Sequence, residues 1–364
     1  MNIKILDENM QIIGAIYLFK TLIWTRRYYE YGLYELHASA SLFPLLNRGA
    51  FLYRKDRDEL GLIEDVQYSQ DKKGATTCFA KGYFSEKLLK DRVAPRSVTV
   101  VGTPEDIGRQ LVQEYAIDPE DDRKINNLVL GKSTGIGKQI KMQDTGFDIS
   151  EKLYAIEATQ EQSHKLRYDY LNNLLMFEVW EGLDRRDTQN VNSWAVFSNS
   201  FANIKDVVYE RDISAYKNFA YVAGEGEGSS RVIVEVDIRA DKSEKRREIY
   251  VDARDLQSND ANGNVMSATA YRETLYQRGL EKLAEYAKIE VVNSSVDPLA
   301  NLRYMVDFDL GDLCTYINTE VGIELDQRIT EIQEVYEGGK TTITVVFGND
   351  EATSITKIIK REAT

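Results

Sequence analysis

The sequence predicts a mostly β protein of the α+β class, in which two similar β domains are separated by α+β insertions. Three observations lead to this prediction: short alternating strands at both ends of the chain, helical patterns in the middle, and an internal repeat that relates the last segment to the first. A chain of 364 residues also exceeds the size at which a single hydrophobic core keeps growing, so several domains are expected.

The composition is that of an ordinary folded protein, and it argues against several classes of function. With 59 acidic and 46 basic residues, the net charge of −13 offers nucleic acid no electrostatic attraction, and we expect no specific nucleic-acid binding. No apolar stretch approaches the ~18 residues of a membrane span, and no secretion signal is recognisable, so we expect synthesis in the cytoplasm and no membrane partner. Cys78 and Cys314 are therefore expected to stay reduced as buried thiols.

Residues 1–98 are expected to form the first β domain. Tyr34, Leu36 and Ala38 alternate with polar residues, and the run 77–84 shows the same two-residue period. The excess of tyrosine over phenylalanine, 22 against 12, also favours half-buried strands and subunit contacts.

A mixed α+β domain is expected over residues 99–197. Thr103 can cap a helix in which Pro104 occupies the first turn and Asp106 completes a capping box. A second amphipathic helix and then a strand over 174–180 follow. This segment is therefore expected to differ from the strand-rich segment before it.

The second β domain is expected to combine residues 198–240 with residues 291–364 and to enclose a helix-containing insertion over 241–290. In its first part, a hairpin with a glycine-rich tip should add strands to the domain. Because glycine alternating with glutamate leaves little to bury, we expect this tip to be mobile in the free chain and to become ordered against a neighbouring protein. The predicted assembly contact consists of Gly224, Glu225, Gly226, Glu227 and Gly228.

The most informative feature is the internal repeat. Glycines and apolar runs recur between the first and last segments at offsets of about 261 to 266 residues. The matches are Gly49 with Gly311, Gly61 with Gly322, the run 63–66 with 329–332, Gly74 with Gly339, and Gly82 with Gly348. Because strand side chains alternate, a shared register predicts two superposable β-barrel-like domains with the same positions facing the core. Chance similarity between two β meanders is the alternative, and we favour duplication.

No constellation of catalytic or metal-binding residues stands out. The only histidines are His37 and His164, from which a histidine-based triad or a catalytic zinc site is hard to assemble. The segment 131–133 resembles part of a phosphate-binding loop, but Asn126 stands where that loop needs glycine. The segment 260–264 lacks the pattern of a calcium loop. We expect no enzyme activity, cofactor or metal site, although carboxylate pairs are too numerous to exclude a glycosidase dyad by counting.

An aromatic and arginine cluster lies near the start of the chain. Its members are Trp24, Arg26, Arg27, Tyr28 and Tyr29. Arginines among aromatic rings are typical of protein interfaces, and a sugar-binding platform is the alternative. We favour the interface.

Four runs together resemble the siphophage tail-hub proteins of the ReqiPepy group. They are residues 22–36, 221–229, 250–255 and 309–312, which occur in the family's order and span nearly the whole chain. The resemblance implies a fold similar to the trimeric baseplate hub of contractile phages and to the N-terminal hub region of tail-associated lysins. In such a fold each chain contributes two tube-type β-barrel domains.

The function implied by the resemblance is that of a structural hub in the tail of a phage or prophage virion. Such a hub joins the sixfold tail tube to the threefold tail tip and lines the DNA channel, because three chains with two barrels each offer six similar domains in a ring. The implied partners are two further copies of the chain, the distal tail protein, the tape-measure protein and tail-tip or receptor-binding proteins.

Two other functions stay open at this point. A carbohydrate- or receptor-binding tail protein would need an exposed aromatic groove, and a tail-associated cell-wall lysin would need a catalytic module. Some members of the family carry a lytic or adhesive extension. The sequence ends at Thr364 without one, so hydrolase activity is not expected.

Overall fold

The fold is mostly β, as predicted. The computed structural model describes residues 1–260, 263–296 and 300–349, with 44% of residues in strands and 18% in helices. Residues 350–364, the end of the predicted second β domain, lie outside the described residues, as do two residues of the segment compared with a calcium loop.

Within the described residues the chain forms 22 strands and four α-helices. The strands are β1 (Ile3–Leu6), β2 (Ile12–Ile16), β3 (Thr21–Arg27), β4 (Leu33–Ala38), β5 (Phe51–Arg54), β6 (Leu60–Leu62), β7 (Asp65–Gln70), β8 (Thr76–Tyr83), β9 (Val93–Gly102), β10 (Leu128–Leu130), β11 (Ile140–Asp148), β12 (Ser163–Asp169), β13 (Leu174–Trp180), β14 (Val196–Ser198), β15 (Ile204–Asp212), β16 (Phe219–Ala223), β17 (Ile233–Asp237), β18 (Glu248–Asp252), β19 (Ile289–Val296), β20 (Leu313–Asn318), β21 (Ile323–Glu337) and β22 (Lys340–Asn349). The helices are α1 (Phe43–Leu46), α2 (Pro104–Val112), α3 (Ile149–Ala158) and α4 (Ala268–Ala284).

One large sheet runs through both ends of the chain. Along its main path eight strands follow one another in the order β15, β19, β22, β21, β3, β4, β8 and β7, and every neighbouring pair is antiparallel. Off this path, β20 pairs with the first part of β21 and with β14. The two ends of the sequence therefore build a single sheet.

This path contains the same four-stranded pairing pattern twice. In the first unit, β3 pairs with β4, β4 with β8, and β8 with β7. In the second unit, β15 pairs with β19, β19 with β22, and β22 with β21. The two units join where β21 pairs with β3. The shared pairing order supports the predicted repeat, and superposition of the two units stays a prediction.

Two of the predicted glycine pairs lie at equivalent places. Gly74 and Gly339 both lie in the hairpin turns that precede β8 and β22, and both have positive φ values, +84° and +76°. Gly49 and Gly311 each stand two residues before a strand, β5 and β20 respectively. These positions carry the resemblance between the two units.

The other two glycine pairs were wrongly matched. Gly61 lies inside β6, whereas Gly322 lies in the turn before β21. Gly82 pairs with the buried Tyr34, whereas Gly348 lies on the opposite face of its strand from the core. For Gly82 and Gly348 the reason is loop length: five residues separate Gln70 from Thr76, but four separate the equivalent pair Tyr336 and Thr341, so an alignment of glycines slips by one.

Neither unit closes into a barrel, which corrects the predicted pair of barrel domains. The described residues supply no further partner for β7 or β15, so the main sheet is open at both ends. Four path strands per unit are too few to close around a packed interior, which takes about eight strands.

The glycine-rich hairpin does not extend the second unit, contrary to the prediction. Its strands β16 and β17 form a separate three-stranded sheet with β18, in the order β17, β16, β18. Helix α4 covers this sheet, and the two share a core that includes Val222, Val236 and Leu275. The physical reason is that β18, from the predicted insertion, supplies a parallel partner to β16.

The middle of the chain forms a mixed region, here called the middle region, from α2, α3 and β9 to β13. The predicted capping box is confirmed: the Thr103 hydroxyl accepts a bond from the Asp106 N–H at 3.1 Å, and the Asp106 carboxylate accepts one from the Thr103 N–H at 3.0 Å. Cys78 and Cys314 are buried free thiols, also as predicted. None of the described helices is both long and apolar enough to span a bilayer.

Replacing Gly348 by alanine is expected to destabilise the protein strongly. Its φ is +92°, and an added Cβ would lie 2.0 Å from the Glu290 carbonyl oxygen. Gly322→Ala is the matched control, because its φ is also positive, +66°, but no atom lies within 4 Å of the added Cβ. We expect the control to lose about 1 kcal/mol of unfolding free energy and Gly348→Ala at least about 2 kcal/mol more, measured by urea unfolding. Equal losses would contradict this account.

Candidate assembly surface

The two units meet at a buried charge cluster, here called the inter-unit cluster, formed by Trp24, Arg54, Arg57, Glu334 and Tyr336. Arg54 is fully buried, and its guanidinium lies 4.9 Å from the ring centroid of Trp24 and 5.0 Å from that of Tyr336. Such stacking is a favourable cation–π arrangement. Arg54, at the end of β5, is thus held between one ring from each unit.

The carboxylate of Glu334 pairs with both arginines of this cluster, and Asp56 supplies a second negative charge, 2.8 Å from Arg54 and 3.1 Å from Arg57. Glu334 is fully buried and accepts hydrogen bonds from Arg57 at 2.7 and 2.8 Å and from Arg54 at 3.2 Å. Burial alone would raise the pKa of Glu334, but the bonds from Arg57 and the charges of both arginines hold it below its usual value. The carboxylate therefore stays ionised and bonded across the joint.

The aromatic and arginine cluster predicted as an interface lies largely in the interior of the chain. Trp24 and Tyr28 have no exposed surface. Arg26 bonds Glu59 at 2.5 Å and Asp309 at 2.6 Å, so it ties the first unit to the loop before β20. The residues thus form an interface between parts of one chain.

The remaining two members of that cluster are half-buried. Arg27 bonds Glu331 of β21 at 2.8 Å and Glu30 at 3.0 Å. The ring of Tyr29 packs edge-on against that of Tyr28, with centroids 4.8 Å apart. Both residues lie beside the seam between β3 and β21.

A polar cavity of about 170 Å³ lies where both units and the middle region meet. Its lining includes Arg26, Glu30, Glu59, Glu86, His164 and Asp309. One oxygen of Glu86 accepts the Leu166 N–H at 3.0 Å, and the other has no hydrogen-bond partner among the described residues. Burial raises the pKa of Glu86 to about 7 and also raises that of Glu30. In the described residues, no group of three or more acidic, histidine or cysteine side chains is placed to hold a metal ion.

The predicted glycine-rich contact is anchored at its base and exposed at its tip. Gly224 is buried, and a Cβ there would lie 2.3 Å from the Tyr271 hydroxyl. That hydroxyl accepts the Glu225 N–H at 2.7 Å. Gly226, Glu227 and Gly228 are exposed. The anchor on α4 was missed by the sequence analysis, because a tyrosine 46 positions downstream carries no local signal.

The edge strands β7 and β15, here called the assembly edges, each pair with a neighbour on one side only among the described residues. Tyr68 on β7 is 47% exposed, and Val208 and Tyr209 on β15 are 62% and 37% exposed. An edge strand presents unpaired N–H and C=O groups that can pair with another chain. The sequence did not single out these edges, because a strand is an edge only through the absence of a neighbour.

The face of the main sheet that is turned away from the cores, here called the polar face, carries mostly polar side chains, although Ile23, Leu33, Phe79, Val208, Val291, Val335 and Val346 also lie on it. Among its side chains are Thr21, Thr25, Glu35, His37, Asp65, Gln67, Ser69, Thr77, Lys81, Lys205, Glu210, Asn293, Ser295, Gln333, Glu337, Lys340, Thr342 and Thr344. Acidic and basic groups are mixed with hydroxyls and amides. This face therefore presents no continuous basic track.

A profile of the family described as Siphovirus ReqiPepy6 Gp37-like protein matches residues 2–349. The chain belongs to this family. A comparison with curated protein sequences found no match. Membership of the Gp37-like family agrees with the resemblance found in the sequence.

Solved structures of tail proteins share the fold of this Gp37-like family member. The tail protein from Neisseria meningitidis MC58 has a TM-score of 0.59 at 12% identity, with 96% of each chain covered. The 43 kDa tail protein of prophage MuSo2 from Shewanella oneidensis has a TM-score of 0.56 at 13% identity, covering 97% of this chain and 99% of its own. Prophage tail protein gp18 from Listeria monocytogenes EGD-e has a TM-score of 0.55 at 12% identity, covering 100% and 98%.

Glu334→Gln is expected to weaken the joint between the units. The substitution removes the buried charge that faces Arg54 and Arg57, and breaking such a pair costs about 3–5 kcal/mol. Glu331→Gln is the control on the same strand, because Glu331 bonds the half-exposed Arg27 and should contribute about 1 kcal/mol or less. Urea unfolding of both variants measures the difference. Equal effects would show that the buried pair does not stabilise the joint.

Glu86 is expected to make stability fall as the pH rises. Because the pKa of Glu86 in the folded chain is raised to about 7, its ionisation opposes folding. The contribution of protonated Glu86 to the free energy of unfolding is fully present below about pH 4.5 and is lost as the pH rises through about 7. Glu86→Gln should remove this fall, about 3 kcal/mol between pH 5 and pH 8, in urea unfolding. The exposed Glu227→Gln should keep it. A fall of the same size in Glu86→Gln would refute the assignment.

Proposed function

We propose that this chain is a non-enzymatic hub of a phage or prophage tail, and that three copies form a ring between the sixfold tail tube and the threefold tail tip. The observation that carries the proposal is the four-stranded unit that occurs twice in one open sheet. The family assignment and the tail proteins that share the fold support a place in the virion tail.

The geometry of the joints supports a closed ring of copies. Inside the chain, β21 of the second unit pairs with β3 of the first, in a head-to-tail joint. The assembly edges β7 and β15 hold the corresponding places in the opposite units and lack a partner among the described residues. A head-to-tail joint that repeats between chains closes into a ring when the rotation permits, and three chains would give six similar units. The barrel absent from one chain would then be completed between chains.

The polar face of the main sheet is the surface that we assign to the DNA channel. The cores cover the other face of the sheet, so this face is the one available to line a ring. Its mixed charges and the net charge of −13 give DNA little to adhere to, which suits passage better than retention.

The remaining partners are proposed from the same arrangement. The distal tail protein and the tape-measure protein would meet the ring from the side of the tube, and tail-tip or receptor-binding proteins from the other side. The exposed tip at Gly226 to Gly228 is the contact that we assign to one of these neighbours. Gly226 and Gly228 have positive φ values, +99° and +55°, so the tip keeps a backbone that larger residues would strain.

The interior position of the aromatic cluster favours a hub over a sugar-binding protein. A carbohydrate platform needs exposed rings, and Trp24 and Tyr28 have no exposed surface. A lysin would in addition need catalytic groups in a cleft that a cell-wall polymer can enter. The polar cavity where the units and the middle region meet, of about 170 Å³, is far smaller than the usual 300–1,000 Å³ of ligand sites and is not such a cleft.

Association of the purified chain tests this proposal. At increasing concentration we expect a monomer–trimer equilibrium in analytical ultracentrifugation, and rings with three- or pseudo-sixfold symmetry in electron micrographs. Val208→Asp places a charge on the β15 edge and should weaken association at least about tenfold. The control is Val321→Asp, in the turn before β21, because the two valines are 62% and 64% exposed. A different ring number, or a monomer at every concentration, would count against the hub.

A further inference from the structure

We infer that neighbouring chains join by antiparallel pairing of β7 with β15 of the next copy, in one register that sets Tyr68 opposite Tyr209 and Gln67 opposite Glu210. The partner of the assembly edges is thus a second copy of this chain. This inference rests on the proposed function and adds to it the strands, residues and register of the contact.

The first step is the equivalence of β7 and β21. The runs 63–66 and 329–332, matched in the repeat, are separated by 266 residues; the first includes the start of β7, and the second lies within β21. The same offset places Tyr68 at the position of Glu334. Their partners agree, because Tyr68 pairs with Cys78 and Glu334 pairs with Ile343, and both partners are buried in the core of their unit.

The second step is the equivalence of β15 and β3. Across the intervening strand, Trp24 is aligned with Gly82 of β8, and Tyr209 is aligned with Phe347 of β22. Gly82 and Phe347 are separated by 265 residues, as are Cys78 and its counterpart Ile343. Tyr209 therefore holds the place of Trp24.

The third step transfers the joint inside the chain to the joint between chains. Inside the chain, Glu334 pairs with Trp24. The equivalent residues, Tyr68 and Tyr209, must then face each other across the seam between two copies. Both lie on the core side of their strands and are 47% and 37% exposed, and a cross-strand aromatic pair stabilises a sheet.

On the polar face, the same transfer places Gln67 opposite Glu210. Their equivalents inside the chain are Gln333 and Thr25, which pair across the joint. The amide of Gln333 donates a hydrogen bond of 3.2 Å to the Thr25 hydroxyl. Side chains at this position therefore lie within bonding reach of each other, and the pair suits a chemical cross-link.

The two kinds of joint differ in chemistry. The joint inside the chain encloses the ion pair of Arg54 with Glu334, whereas the inferred joint between chains has tyrosines at both equivalent positions and no buried charge at that place. Tyr68 already packs near Phe43, with ring centroids 5.8 Å apart, so the edge is partly organised before assembly. The ring should accordingly separate at its three seams between chains and remain intact within each chain.

Disulfide trapping tests the register. The double variant Gln67→Cys with Glu210→Cys, oxidised at a concentration at which the chain associates, should give covalent trimers on a non-reducing gel. Ser69→Cys with Glu210→Cys is the displaced control. In the inferred register its two positions are offset by two residues, or about 7 Å along the strands, whereas a disulfide needs Cβ atoms that lie about 3.5–4.5 Å apart. Each single variant should give no trimer, and the buried Cys78 and Cys314 should not contribute.

We expect at least about tenfold more covalent trimer from the matched pair, Gln67→Cys with Glu210→Cys, than from the displaced pair, Ser69→Cys with Glu210→Cys. Rings in micrographs together with stronger linking of the displaced pair would overturn the register and leave the hub standing. Rings without links in either pair would overturn the pairing of β7 with β15 and also leave the hub standing. The absence of rings and links at every concentration would overturn both proposals.

Discussion

The ion pair of Glu334 with Arg54 and Arg57 is the interaction on which the main sheet depends. It joins the second unit to the first at a place where none of the three side chains can reach bulk water freely. Separating the units would leave a buried charge without its partner, which is strongly destabilising. A slip of β21 along β3 by one residue would turn Glu334 to the polar face, so the same pair also fixes the register of the joint.

The positions of the other parts follow from this joint. Arg26 lies on β3, two residues after Trp24, and bonds Asp309. This bond holds the loop before β20 against the first unit. The hydroxyl of Tyr28 donates to the Glu161 carbonyl at 2.9 Å and so attaches the middle region at the same end. The polar cavity and Glu86 lie in the space that remains between these three attachments.

Local features of the fold were predictable from the sequence, and long-range pairing was not. The capping box at Thr103 and the buried thiols depend on neighbouring residues or on composition, and both were correct. The repeat indicated that the two ends of the chain are built alike, but glycine matches could not reveal that the hairpin between β7 and β8 is one residue longer, between equivalent positions, than that between β21 and β22. Burial of Trp24 likewise depends on Arg54 and Tyr336, which are remote in sequence, so an interior joint looked like an interface.

The ring that we propose places different demands on its two kinds of joint. The joint inside the chain forms during folding and stays closed, so it can bury an arginine and a carboxylate that would be costly to expose. The assembly edges must be soluble before assembly and able to pair afterwards. Tyrosine meets both demands at Tyr68 and Tyr209, because its ring packs across a seam while its hydroxyl tolerates water. Polar neighbours such as Gln67 and Glu210 oppose non-specific pairing of the free edge, and the difference between the joints therefore agrees with the proposed ring.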